Sequence, residues 1–336
     1  MNSTVKPLVL SGSMDAADSP YNYIPSTTIA IIFVVLYSIS TICHVGQGIY
    51  YRMWWVFPTI CLAGIMEVLG WSGRLWSSYS PSLNNPFQIQ IVTTILAPTP
   101  LVAANFVILG VLIKRLGPVY SRLTPRMYSI IFCTCVSTVF FCVLNPFTTI
   151  YILQDVVALI IQGVGGGIAS AADTLPAANK GGNIMLGGIV FQLVVITVYV
   201  ICAAEFLVRY IKDIPIASRT ANSQVDVASM KPVYSRGVMS GKSLLMLGAL
   251  ALSTIFLYIR AVYRTIELSD GWNGVIISTE VYFNVFDGAM VVLAIYIMNF
   301  AHPGFLLGSE QAVLSSADPS GSLELGTEET VMAERR

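Results

Sequence analysis

The sequence predicts an all-α, polytopic membrane helical bundle. Seven transmembrane helices are expected, N-terminus outside and C-terminus inside, with an extra apolar segment before helix 4. Three observations predict this. Of 336 residues, 55% are hydrophobic and 11% charged, with a mean hydropathy of +0.73. A soluble domain carries about 25% charged residues, so this chain lacks the polar side chains to coat a globule in water. Seven apolar runs approach or exceed the roughly 20 residues that a spanning helix needs. Lys and Arg gather on alternate loops, as the positive-inside rule requires.

The runs are 27–46, 54–72, 88–112, 128–165, 184–208, 243–262 and 275–299. They divide the chain into an extracellular tail (1–26), a transmembrane domain (27–308) and a disordered Ser- and Glu-rich cytoplasmic tail (309–336). The first 26 residues lack a basic stretch followed by an apolar one, so the first span is expected to act as its own signal. Asn2 opens a usable glycosylation sequon, which fits an outside N-terminus.

The fourth run is nearly twice the needed length. Asn145-Pro146 could split it in two, but eight spans would carry the basic loop 209–242 outside. That loop holds Arg209, Lys212, Arg219, Lys231, Arg236 and Lys242, and the preceding inner loop holds Lys114, Arg115, Arg122 and Arg126. One span near 147–165 is therefore expected, with 128–145 re-entrant, interfacial or packed as an extra segment. Loop 209–242 has no apolar periodicity and reads as flexible.

Ionisable residues inside spans cost about 2.5–3.5 kcal/mol each, so they are the best functional clues. In span 2, Glu67 and Arg74 lie two helical turns apart on one face, with Gly70 and Gly73 between them. Arg74, at the boundary, can snorkel. In span 7, Glu280, Asn284 and Asp287 form a polar stripe. At the outer end of span 6, Arg260, Arg264 and Glu267 share a face, and Arg264 with Glu267 makes an i,i+3 pair. In span 4, Asp155 and Gln162 are again two turns apart, and Gly163 with Gly167 forms a GxxxG for close helix approach before a flexible outer loop. Each set has a packing reading beside the functional one. The recurrence in three spans suggests one shared interior cavity.

Glu205 and Arg209 form an i,i+4 pair at the inner surface, and Gln192 is helix–helix glue. Ala97-Pro98-Thr99-Pro100 removes two helix donors from span 3, so a kink or break is expected there.

Several chemistries do not fit. Zero net charge gives no case for nucleic-acid binding. Six cysteines, all in apolar runs and none in a CxxC, suggest neither disulfides nor zinc. With only His44 and His302, a seven-span zinc hydrolase is disfavoured. The sequence "SGKS" at 240–243 has no preceding strand and a misplaced glycine, so it is no phosphate loop. No GxSxG elbow is present. No enzyme, cofactor or metal is expected.

"YNYIPS", "EVLGWSGR", "LAP", "QDVVALIIQGVGGG", "IRAVYRTIEL", "STEVYFNVFDGAM" and "NFAHPG" occur in this order over residues 21–307. Together they resemble the fungal lipid-translocating exporter family, also called RTA-like proteins. The resemblance implies a multi-pass plasma-membrane protein that exports or flips amphiphilic lipids such as sphingoid long-chain bases. It also implies resistance to toxic sterol-like amphiphiles, or porphyrin traffic. Its recurrent charges fall on Glu67, Arg74, Asp155, Arg260, Arg264, Glu267, Glu280 and Asp287. A receptor that regulates lipid asymmetry without transport is the alternative. The chain departs from the family at about 133–152, where an extra apolar segment intervenes. It is either a genuine insertion or the product of a retained intron or faulty gene model, and a full-length transcript with matching peptides decides. For a cationic sphingoid base, Asp155, Glu280 and Asp287 are the expected partners of the ammonium.

Overall fold

The computed structural model describes residues 19–122, 161–169, 174–216, 237–271 and 274–308. Described residues lie in helices, turns and irregular connections, with no strand among them. Helix α1 spans Thr27–Tyr50. A 3-10 turn (Trp54–Val56) and a π turn (Phe57–Cys61, holding Pro58) lead into α2, Leu62–Tyr79. Helices α3 (Asn84–Leu96) and α4 (Pro98–Leu116) follow. Residues 161–169 form α5. Then come α6 (Leu175–Lys212) and α7 (Gly241–Ser269). Helix α8 (Glu280–Phe283), a π turn (Asn284–Ala289) and α9 (Met290–Phe300) run on as one column, and short α10 (Pro303–Leu307) ends the described chain.

Among the described residues, six helical stretches are long and apolar enough to cross a membrane: Thr27–Tyr50, Trp54–Tyr79, Asn84–Leu116, Pro176–Lys212, Gly241–Ser269 and Glu280–Leu307. Each overlaps an expected span. The expected span at 147–165 lies outside the described residues except for 161–165, and so do Asn2, Asp155, the segment 133–152 and the tail 309–336.

The helices carry apolar residues outward as well as inward. Ile31, Val35, Ile39 and Ile42 are exposed on α1, Val190, Val194 and Val198 on α6, and Leu252, Ile255 and Ile259 on α7. In water such stripes would be a liability; in a bilayer they are the solvent-facing surface.

Helix α2 packs against α1 and α3, and α7 against α6, α4 and α9. Close approach of α2 to α3 depends on Gly70 and Gly73, as their placement suggested. A Cβ on Gly70 would lie 2.5 Å from Cγ2 of Thr94, and one on Gly73 would lie 2.8 Å from the Pro86 carbonyl. Gly70→Ala is expected to cost about 1–3 kcal/mol by overpacking. Gly46→Ala, where a Cβ meets nothing within 4 Å, serves as the control. The thermal midpoint of purified protein should fall for the first and hold for the second.

Toward α6, the glycine at the contact is not one of the expected GxxxG pair. Among the described residues, Cβ atoms on Gly163 and Gly167 would meet nothing within 4 Å, whereas one on Gly165 would lie 2.5 Å from the Met185 nitrogen. Gly181 of α6 fits against Ala169 in the same way. The contact with α6 is therefore made at Gly165. Helix α6 begins at Leu175, with Pro176 in its first turn, earlier than the span expected from 184.

The proline-rich "LAPTP" interrupts the third stretch at Ala97, and α4 restarts with Pro98 at its first position. "SGKS" has a local role: the Ser240 side chain accepts a hydrogen bond from the Ser243 amide and caps α7.

Candidate functional site

Three helical elements bring their charges together. Arg260 and Arg264, one turn apart on α7, face Asp287 in the π turn. Nε of Arg260 and Nε of Arg264 each donate to Oδ1 of Asp287 at 2.8 Å, and Nη2 of Arg264 donates to Oδ2 at 3.0 Å. Arg264 also donates through Nη1 to Oε2 of Glu267 at 2.8 Å, the i,i+3 pair read from the sequence. The Tyr263 hydroxyl donates to the other oxygen of Glu267 at 2.9 Å. Asp287, Arg260, Arg264 and Glu267 are all buried, at 0–3% exposure. Such a network persists in a membrane because every charge has an opposite partner.

Backbone also takes part. Pro98 has no N–H, so the carbonyl four residues earlier, on Thr94, loses its helical donor. Nη2 of Arg260 donates to that oxygen at 2.7 Å, and Nη2 of Arg264 donates to Oγ1 of Thr94 at 3.2 Å. The break in the third stretch is thus satisfied by the charge cluster.

Nearer the end that carries residue 27, Arg74 makes a second centre. The expectation that it snorkels is not met, since its side chain is 1% exposed. Nη2 of Arg74 donates to Oε1 of Glu280 at 3.1 Å and to the Tyr23 hydroxyl at 2.9 Å. Its guanidinium lies 4.6 Å from the Phe283 ring centre, with Tyr21, Tyr23 and Trp71 at 5.4–5.6 Å. Aromatic faces and one carboxylate replace water around it. Burial pushes the Tyr21 hydroxyl up to about 12, against the opposing pull of Arg74, so Tyr21 meets Arg74 as a neutral phenol. Arg264 lies 4.9 Å from the same Phe283 ring, which therefore joins the two centres.

Glu67 stands apart. It is fully buried, yet neither carboxylate oxygen accepts a hydrogen bond from a described residue. It feels Asp287, Arg260 and Arg264 electrostatically, and Trp71 approaches it without reaching hydrogen-bond geometry. Among the described residues, Glu67 is the one buried carboxyl in this condition. Arg74, two turns along the same helix, pairs across to Glu280 instead.

The polar stripe of the last column is altered by its π turn. Glu280 is one-fifth exposed and also accepts the Ser26 amide at 2.8 Å. Asn284 is buried with its amide unpartnered. Gln162 is buried too, but it does not join the charges. It lines a small separate cavity of about 20 Å³ with Thr99, Val102, Phe106, Gln192, Val195 and Ile196. Gln192 bridges helices as expected, donating to Oγ1 of Thr99 at 3.1 Å. Of the three recurring spacings, two pairs meet in this interior and Gln162 does not, while Asp155 lies outside the described residues.

The opposite end is a polar rim. Glu205 accepts from Arg209 at 2.8 Å, the pair read from the sequence, and from Arg122 at 2.7 Å. Arg115 donates to the Leu307 carbonyl, and the Tyr120 hydroxyl donates to Asp213. Cys43, Cys61 and Cys202 are free thiols. No group of His, Cys, Asp and Glu among the described residues could hold a metal ion.

Thr94, Tyr23, Tyr263, Trp71 and Phe283 were not singled out from the sequence. Thr94 had a legible signal, lying four residues before Pro98. The aromatic side chains had none, because aromatic residues are frequent throughout this chain.

No solved structure matches this chain. A family model described as RTA1 like protein matches residues 60–144 and 137–310. The two matched stretches overlap at 137–144, inside the extra apolar segment. The chain is 27% identical over 301 residues to the Sphingoid long-chain base transporter RSB1 of Saccharomyces cerevisiae (strain Lalvin EC1118), covering 84% of this chain and 72% of the relative. It is 26% identical over 309 residues to Protoporphyrin uptake protein 1 of Saccharomyces cerevisiae (strain ATCC 204508 / S288c), covering 82% and 89%. It is 24% identical over 307 residues to Protein RTA1 of the same strain, covering 84% of each. The apolar helices, the order of the motifs and the family match agree: this chain is a multi-pass membrane protein of the RTA1-like family.

Proposed function

We propose that this protein translocates cationic amphiphilic lipids of the sphingoid-base type across the plasma membrane. The supporting observation is the unshared carboxyl of Glu67. Asp287, Glu267 and Glu280 each have an arginine within 3.1 Å, so none has a free charge for a ligand. Glu67 lies in the same interior with no hydrogen-bond donor on either oxygen. A long-chain base carries one ammonium on an apolar tail. Its ammonium can be neutralised at Glu67 while the tail stays among the lipid-facing residues.

This reading moves the ammonium partner from Glu280 and Asp287 to Glu67 and gives the arginine-paired acids the task of holding the bundle. Asp155 lies outside the described residues and keeps its place as a second candidate. With a seventh span at 147–165 the two termini lie on opposite sides, and the Lys and Arg bias then favours an outside N-terminus and an inside C-terminus. That orientation also leaves Lys114, Arg115, Arg209, Lys212 and Lys242 on the cytoplasmic side. The transport reading draws further support from the relative named a sphingoid long-chain base transporter.

Reconstitution into liposomes tests it. A long-chain base with a fluorophore on its tail is expected to cross faster than in protein-free vesicles. Its N-acylated, uncharged counterpart is expected to stay at background. Binding of the base without movement would replace the translocator with a receptor or sensor of lipid asymmetry.

A further inference from the structure

We propose that Glu67 binds a proton and the substrate ammonium in alternation, so that each cationic lipid is exchanged for one proton. This rests on the translocator reading above and adds its coupling ion.

Charge matching among the described buried groups carries the argument. Asp287 and Glu267 match Arg260 and Arg264, and Glu280 matches Arg74, every pair within 3.1 Å. Glu67 is the carboxyl left over, fully buried with neither oxygen accepting a hydrogen bond. Burying an uncompensated charge is strongly disfavoured, so a proton or an arriving cation must neutralise it. The facing groups do not remove this need. From α1, Tyr37 acts on Glu67 electrostatically, but its hydroxyl donates to the Gly288 carbonyl. From the last column, Asp287 repels it. From α7, Arg260 and Arg264 attract it, yet both are held by Asp287. Thr94 of α3, which meets α2 at Gly70, is uncharged.

The exchange conserves atoms and charge. In the closed bundle Glu67 is a carboxylic acid. When the ammonium arrives, the acid O–H bond breaks and its proton passes to water. The carboxylate then pairs with the ammonium, which keeps all its hydrogens. On the other side the ammonium leaves and a proton returns to the same oxygen. The site carries no net charge in either occupied state, which is what a low-dielectric interior demands.

The test uses full-length protein in detergent and weak buffer, with a pH indicator and phytosphingosine as probe. About one proton is expected to be released per base bound, with affinity for the base rising about tenfold per pH unit while Glu67 holds its proton. Glu67→Gln, which copies the protonated shape, should release none and lose the pH dependence. Glu67→Asp should keep both. In vesicles, a pH gradient should drive wild-type transport above the protein-free background, and Glu67→Gln should remain at that background. Wild-type protein that binds and moves base without releasing protons would overturn the exchange and leave the translocator standing. Wild-type protein that moves no base would overturn both. The wild-type proton count decides the matter even if Glu67→Gln does not fold.

Discussion

Asp287→Asn is expected to be the most damaging single substitution in the described bundle, at about 3–5 kcal/mol. The volume hardly changes, so the effect isolates charge. Asp287 receives Nε of Arg260 together with Nε and Nη2 of Arg264. An asparagine offers one acceptor oxygen and brings an amide N–H against those donors. Two guanidinium groups at 1–2% exposure then lose their shared counter-charge. The readouts are the yield of monodisperse protein after detergent extraction and its thermal midpoint. A companion Arg260→Gln in the same chain should recover part of the loss, because it removes one of the stranded cations. An unchanged midpoint for Asp287→Asn would show that the cluster is not fixed as described.

Arg74→Ala is expected to follow, at about 3 kcal/mol, from a buried void and lost cation–π contacts. Among the described residues, four rings surround the guanidinium and one carboxylate pairs with it. Glu280 keeps the Ser26 amide and is one-fifth exposed, so Glu280→Gln should cost much less than Arg74→Ala. In a double-mutant cycle the two losses should fall short of additive, because each removes the same ion pair. Arg74→Lys should restore only part of the stability. An ammonium is a compact, strongly hydrated charge and stacks poorly on several rings at once. Equal midpoints for Arg74→Lys and wild type would mean that the ring contacts contribute nothing.

The consequences of the two substitutions differ in kind. Asp287 joins α7 to the last column and, through Thr94, to α3. Arg74 joins α2 to the segment before α1 and to Glu280. Loss of the first loosens the interior, while loss of the second loosens the end near residue 27. Phe283, under both Arg74 and Arg264, couples them.

Much of this was legible in the chain. Apolar length alone located six helical stretches, since a backbone in hydrocarbon must satisfy its own hydrogen bonds. Local spacing gave the Arg264–Glu267 and Glu205–Arg209 pairs, because i,i+3 and i,i+4 neighbours meet on any helix. Small residues located the approach of α2 to α3. Toward α6 the close approach is made at Gly165 rather than at Gly163 and Gly167. A GxxxG marks a surface without a Cβ, but which surface meets α6 depends on rotation, and Gly165 faces inward instead.

The sequence by itself determined the membrane class, the family and the identity of the charged residues that lie within spans. All of these follow from composition, order and spacing along one helix. Only the tertiary structure decided who pairs with whom. Glu67 and Arg74 share a helical face, yet Arg74 turns to Glu280 and leaves Glu67 without a partner among the described residues. Asp287, presented by a π turn rather than a regular α-helix, takes two arginines at once, and Pro98 frees the Thr94 carbonyl that completes their shell. Pairing between helices depends on each helix's depth, rotation and local winding. Those are set by side-chain packing across the bundle, and no spacing within a single helix contains them.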